Sequence, residues 1–111
     1  LDEDMLDLVQ ANLGWTGGIT EGKRIAALSL AAGKLFAPHT FFSVVLTAAN
    51  VQLSASLPNV PFIESEENPN PLRENLLKIP FERDQDMAYL LTDSPGLGIE
   101  LDWNTVEKYH I

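Results

Sequence analysis

The sequence predicts an α/β fold built from consecutive parallel βαβ units. Three observations predict it. Short apolar runs recur between breaks marked by glycine or proline, and the stretches separating them carry helical spacing over about 13 residues. The third is charge placement: no Asp or Glu occurs from Gly22 to Ile63, whereas eleven of the sixteen acids lie from Glu64 to Glu107. The middle of the chain is therefore the buried part.

Each element follows from local chemistry. Leu6-Asp7-Leu8-Val9-Gln10-Ala11 reads as a first strand, and Gly14, Gly17 and Gly18 supply a flexible turn. Thr20 is a good N-cap for the helix that follows, Glu21 suits its positive end, Ile25, Leu28 and Ala32 mark its apolar face, and Gly33 offers a left-handed C-terminal position. The unit then repeats. Lys34-Leu35-Phe36-Ala37 is a second strand, Pro38-His39-Thr40 a break, and Ser43 to Ser56 a second helix with Val44, Ala48, Val51 and Ala55 on one face, ended by Pro58. Pro61-Phe62-Ile63-Glu64 is a third strand, and Glu66 to Pro71 a polar loop. Right-handed crossovers place the helices on one side of a parallel sheet or barrel wall. Beyond Pro71 the pattern changes: Leu76 to Phe81 and Met87 to Leu91 flank a charged hairpin tip. A turn at Ser94-Pro95-Gly96-Leu97-Gly98, an edge strand at Ile99-Glu100-Leu101-Asp102 and a short helix from Asn104 to Tyr109 complete the chain.

Composition excludes several functions. A net charge of −9 argues against sequence-independent nucleic-acid binding and against docking on an anionic membrane, both of which need clustered Lys and Arg. Without cysteine there is no disulfide framework, zinc-thiolate site or thiol nucleophile. No apolar run approaches the roughly 20 residues that span a bilayer. A soluble, cytoplasmic protein is expected.

In α/β sheets and barrels, functional groups collect at the carboxyl ends of strands. Asn12 lies just past the first strand, His39 just past the second, and Glu64 at the end of the third. With neighbouring strands roughly 5 Å apart, the three side chains can share one mouth. A histidine beside a carboxylic acid suits proton transfer, since imidazole titrates near neutrality and a partly buried Glu can stay protonated as a donor. Each residue also has a plainer reading. His39 can be a structural histidine bonded to backbone, Glu64 the first residue of the acidic loop, and Asn12 an Asx-turn residue. Gly17-Gly18 before a helix weakly suggests a phosphate site, without a full glycine motif or a basic residue ahead of Lys23. Trp15 and Phe41-Phe42 read as core or pocket wall, with core the simpler assignment, and His110 as exposed and silent.

The order of these pieces resembles a known family. Leu8-Val9-Gln10-Ala11-Asn12-Leu13-Gly14, Gly17-Gly18-Ile19-Thr20-Glu21, Pro38-His39, Pro58-Asn59 leading to Phe62-Ile63-Glu64, and Pro95-Gly96-Leu97-Gly98 resemble the C-terminal third of the mandelate racemase/muconate lactonizing enzyme group of the enolase superfamily. The resemblance covers essentially the whole chain. It implies a partial (β/α)₈ TIM barrel: residues 1–71 as its sixth to eighth βα units, and residues 72–111 as a hairpin and edge-strand tail packing toward a capping domain. A complete barrel takes about 250 residues, so the chain reads as under half a barrel, and a start at Leu1 rather than Met fits that account.

The resemblance also implies an activity. Members abstract the proton α to a carboxylate and stabilise the enediolate on Mg²⁺; in acid-sugar dehydratases a β-hydroxyl then leaves. His39 matches the family's general acid/base, and Glu64 the residue that hydrogen-bonds the substrate carboxylate as charge develops there. Asn12 departs from the pattern, because the family usually pairs the histidine with Asp at this place. An amide cannot offset the charge of a protonated ring, so a weaker base is expected. The family's three metal-ligating carboxylates and its lysine base lie on strands this chain does not contain, so Mg²⁺ belongs to a full-length parent and the chain alone is expected to be inactive. The substrate is expected to be a small sugar acid or another carboxylate. Pro38-His39-Thr40-Phe41 favours a dehydratase, with a racemase or cycloisomerase, or a non-catalytic binding relative that has lost its dyad, as alternatives. A piece of barrel has two open sheet edges and an apolar inner face, so association into a homo-oligomer is expected, with settling into a non-barrel arrangement as the alternative.

Overall fold

In the computed structural model, residues 5–41 and 43–110 are described. Two strands, β1 (Leu8–Ala11) and β2 (Leu35–Pro38), pair in parallel with Leu8 opposite Leu35 and Ala11 opposite Pro38. The connection between them carries a one-turn helix α1 (Leu13–Thr16) and the longer α2 (Gly18–Ala31). Helix α3 (Val44–Ala55) follows β2, and α4 (Pro71–Glu74) and α5 (Trp103–Lys108) lie in the tail. The α/β class and the first βαβ unit are as the sequence predicts.

The turn after β1 is more ordered than its glycines suggest. Asn12 caps α1, its Oδ1 accepting from the Gly14 amide at 2.8 Å. Gly17, at φ 105°, ends α1 and directly begins α2, so Thr20 falls inside the helix rather than at its cap. Only a residue free of the Cβ clash makes that left-handed elbow cheaply.

The buried face of α2 also differs from expectation. Leu28 is exposed, and Gly22, Ala26 and Ser29 face inward instead. Small residues are needed there because α1 and α3 approach closely: a Cβ on Gly22 would stand 2.2 Å from Leu13 Cδ2 and 2.9 Å from Leu53 Cδ2. The core comprises Ala11, Leu13, Ala26, Phe36 and Leu53, with Val9, Ile25, Leu46, Ala49, Leu57 and Val60 packed around it. On α3, Val44, Ala48 and Val51 are buried as predicted, Ala55 is exposed, and Asn50 and Leu53 bury a further side.

The third strand does not form. Residues 61–64 pair in no ladder, and Phe36 N donating to Asn59 O at 2.9 Å is the bond that joins this segment to β2. In a parallel ladder the next two rungs would be donated by residues 61 and 38, and both are prolines without an N–H. Buried Asn59 fixes the approach instead, its Nδ2 donating to Ala26 O and Lys34 O, each at 3.2 Å.

The tail is held by local bonds. Its hairpin is tighter than the sequence suggests, bridging Arg83 and Tyr89 around Asp84, whose Oδ1 accepts from the amides of Asp86 and Ala88 at 2.9 Å. Tyr89 also forms a T-shaped pair with Phe81 and has the Arg83 guanidinium over its ring. The predicted edge strand is reduced to one antiparallel bridge, Leu77 to Leu101. Asp102 caps α5. Among the described residues no helix is long and apolar enough to cross a membrane.

Candidate active site

The parallel register of β1 and β2 brings their carboxyl ends side by side, and His39 N donates to Ala11 O at 2.9 Å just beyond the last pair. That bond places residue 39 next to residue 12. The Asn12 amide nitrogen lies 2.9 Å from His39 Nδ1, and the opposite ring nitrogen, Nε2, is 3.8 Å from Glu64 Oε2. All three predicted residues therefore converge, although Glu64 arrives on a segment outside the sheet rather than on a strand.

Several plainer readings are answered by these contacts. The His39 ring bonds a side chain through Nδ1, so it is not held simply by backbone. Glu64 turns back over the strand ends instead of joining the acidic loop: its Oε2 accepts from Thr40 N at 2.9 Å and from Gln10 Nε2 at 3.2 Å. Asn12 is indeed a turn residue, and it serves the ring as well. Its side chain is buried, while those of His39 and Glu64 are 32% and 37% exposed, open enough to meet a small molecule.

Three supporting residues escape sequence reasoning. Gln10 stands two positions before Asn12, on the same side of β1 by strand alternation, which was the available signal. Thr40 contributes its amide to Glu64. Fully buried Asn50 of α3 donates to His39 O at 3.1 Å and to Thr40 Oγ1 at 2.6 Å, fixing the backbone that carries the imidazole. An isolated amide inside the apolar face of α3 hinted at such a role, but its partners lie ten and eleven residues away.

The aromatic assignments need correction. Trp15 is 76% and Phe41 50% exposed, so neither is core; Phe41 flanks the site, its ring centroid 6.4 Å from that of His39. Phe42 lies outside the described residues. Gly17 acts as an elbow between two helices, and His110 is exposed.

A divalent cation finds no matching donor set among the described residues. Among the described residues no three His, Cys, Asp or Glu side chains are grouped so as to hold a metal ion. The site carboxylate, Glu64, already accepts two N–H donors on Oε2 and lies 3.8 Å from a ring nitrogen, without a second carboxylate beside it among the described residues.

Comparison with known proteins bears directly on this arrangement. The family described as enolase C-terminal domain-like matches residues 1–105. A D-gluconate/D-galactonate dehydratase of Picrophilus torridus is 36% identical over 109 residues, which cover 97% of this chain and 27% of that protein. An arabinonate dehydratase of Saccharolobus solfataricus is 32% identical over 104 residues, covering 94% and 27%. Among solved structures, the 3,6-anhydro-D-galactonate cycloisomerase of Zobellia galactanivorans superposes with a TM-score of 0.86 at 30% identity, covering 97% of this chain and 30% of its own. The chain spans a little over a quarter of the length of the curated relatives it matches.

Proposed function

The chain belongs to the enolase C-terminal domain-like family, and on that premise we propose that it forms part of an enzyme that abstracts the proton α to a carboxylate, a dehydratase of sugar acids. The observation that carries this reading is the convergence of Asn12, His39 and Glu64 at the carboxyl ends of β1 and β2 and of the segment beside them. His39 Nε2 and the Glu64 carboxyl are the two groups of this chain that face a substrate, and Gln10, Thr40 and Asn50 hold them in place.

The division of labour follows from what the chain holds. Its residues bind and orient the reacting carboxylate end, where fixed hydrogen-bonding groups stabilise charge without reorganising. On this reading metal chemistry belongs to residues outside it, since among the described residues no three His, Cys, Asp or Glu side chains are grouped to hold a cation. The 111 residues alone are then expected to be inactive. The full-length protein is expected to turn over at least one member of an acid-sugar library, and turnover of none would overturn the reading; so would Mg²⁺-dependent turnover by the purified 111-residue chain. The likeness to a 3,6-anhydro-D-galactonate cycloisomerase supports a second reading, cycloisomerisation of a sugar acid, recognised by a product isomeric with its substrate and by the absence of released water.

A further inference from the structure

The way Asn12 is held decides which nitrogen of His39 carries the proton. Asn12 Oδ1 must be the atom facing Gly14, because the Gly14 backbone N–H, 2.8 Å away, can only donate. Nδ2 is thereby turned to His39 Nδ1 at 2.9 Å. An amide NH₂ also only donates, so Nδ1 must accept, and the neutral ring carries its hydrogen on Nε2. Protonating the ring would set an N–H against an N–H at that distance. Turning the amide would relieve this contact only by aiming NH₂ at the Gly14 N–H and removing the cap of α1. Asn12 is buried, so neither adjustment is easily made up by water.

We propose that Asn12 is a positioning residue that keeps His39 as the neutral Nε2–H imidazole, making it a fixed hydrogen-bond donor to a substrate oxygen rather than a group that takes up or releases a proton. The inference rests on the reading of His39 as a substrate-facing residue. As a base, His39 would need a lone pair on Nε2, which this tautomer lacks. As an acid from the neutral state it would leave an imidazolate, and the imidazolium that ordinarily donates is the form Asn12 opposes. What remains is polarisation: a neutral N–H aimed at an oxygen that gains negative charge. Of the groups around the ring, Glu64 Oε2 is 3.8 Å from Nε2, within reach of a protonated ring and so opposed to Asn12, but beyond hydrogen-bond distance and engaged by Thr40 N and Gln10 Nε2; the Phe41 ring centroid lies 6.4 Å away. The substrate oxygen it takes belongs to a carboxylate or to a carbon-bound oxygen becoming anionic, and the proton itself is moved by another group of the whole enzyme.

Replacing Asn12 by Asp changes only the atom against Nδ1. One carboxylate oxygen keeps the Gly14 bond and the other demands an N–H from the ring, which frees Nε2 as a base. ¹⁵N NMR of the full-length protein labelled at histidine tests this without substrate, with the His39 signals assigned by their loss in His39→Gln. The expected result is a neutral ring that carries its hydrogen on Nε2 in the wild type, and on Nδ1, or on both nitrogens, in Asn12→Asp. A wild-type neutral ring that is Nδ1–H overturns the proposal. A second measurement uses turnover: Asn12→Asp should add an ionisation to the pH profile of kcat/KM. Profiles that superimpose, both showing the histidine step, overturn it as well. Because the NMR result needs no turnover, failure to find a sugar-acid substrate defeats the functional reading and leaves the tautomer decided separately.

Discussion

The βα half of the chain and its tail are stabilised by different means. Between Leu8 and Val60, a parallel strand pair and two long helices enclose a continuous set of buried apolar side chains around Phe36. After Glu64, Leu76 is the buried apolar side chain that the described residues contribute, and order comes from caps, one bridge at each pairing and exposed ion pairs such as Lys78 with Glu100. Exposed pairs of this kind contribute little. The candidate site rests on the first half, with Glu64 reaching it from just beyond: among the described residues, Gln10, Asn12, Thr40 and Asn50, which hydrogen-bond to His39 or Glu64, come from β1, α3 and the turns beside the strands. A site whose distances must hold to fractions of an ångström is placed on the packed half, and the tail is left the looser task of covering α3, as in the bond from Gln52 to Leu97 O.

The largest expected effect tests that contrast directly. Phe36→Ala should cost about 3–5 kcal/mol in thermal or denaturant unfolding, the range for emptying a large core position, whereas Ile79→Ala, at a tail side chain 72% exposed, should change stability by about 0.5 kcal/mol or less. Equal losses would dissolve the distinction between the halves. Next, Gly22→Ala should lose about 1–3 kcal/mol, because the new methyl meets Leu13 and Leu53 in a packed interior. An unchanged midpoint would show that α1 can move, and with it the turn that presents Asn12.

The smallest effect concerns pH. The Asp102 carboxyl is held below its usual range, first by the Thr105 hydroxyl and then by amides of the first turn of α5, and that of Glu74 by the Asn70 amide and then Arg73. Groups with lowered pKa stabilise the fold above their unfolded values and lose that contribution as pH falls through the folded ones. Acidification below about pH 4 should therefore lower amide protection factors in α5 and α4 before it does so in α3. Simultaneous loss in all three would mean the tail is coupled to the core more tightly than its contacts suggest.

Much of this architecture was legible in the chain itself. The apolar runs at Leu8 and Leu35, the helical spacing from Val44 and the punctuation by Gly33 and Pro58 place the βα units within a few residues. Where reading failed, longer-range geometry was responsible. Leu28 looked like the core face of α2, but close approach of α1 and α3 selected the narrow Gly22, Ala26 and Ser29 face. Residues 61–64 had strand composition, yet Pro38 and Pro61 remove rungs at a register that only the folded pairing reveals. At the site, Asn12, His39 and Glu64 were identifiable as strand-end polar residues, whereas Thr40 and Asn50 were not, since a backbone amide and a buried side chain acquire roles only from what they face.

Residue types and their spacing determined the parallel βα class, the acid-free interior and the three polar residues at its mouth, because periodicity and turn chemistry act over a few neighbouring positions. Tertiary structure alone decided which atoms meet. Gly14 orients the Asn12 amide, that amide selects the tautomer of an imidazole 27 residues away, and Thr40 and Gln10 draw in a carboxylate from residue 64. Hydrogen bonds are directional over less than an ångström, and that precision exists only once distant segments have packed.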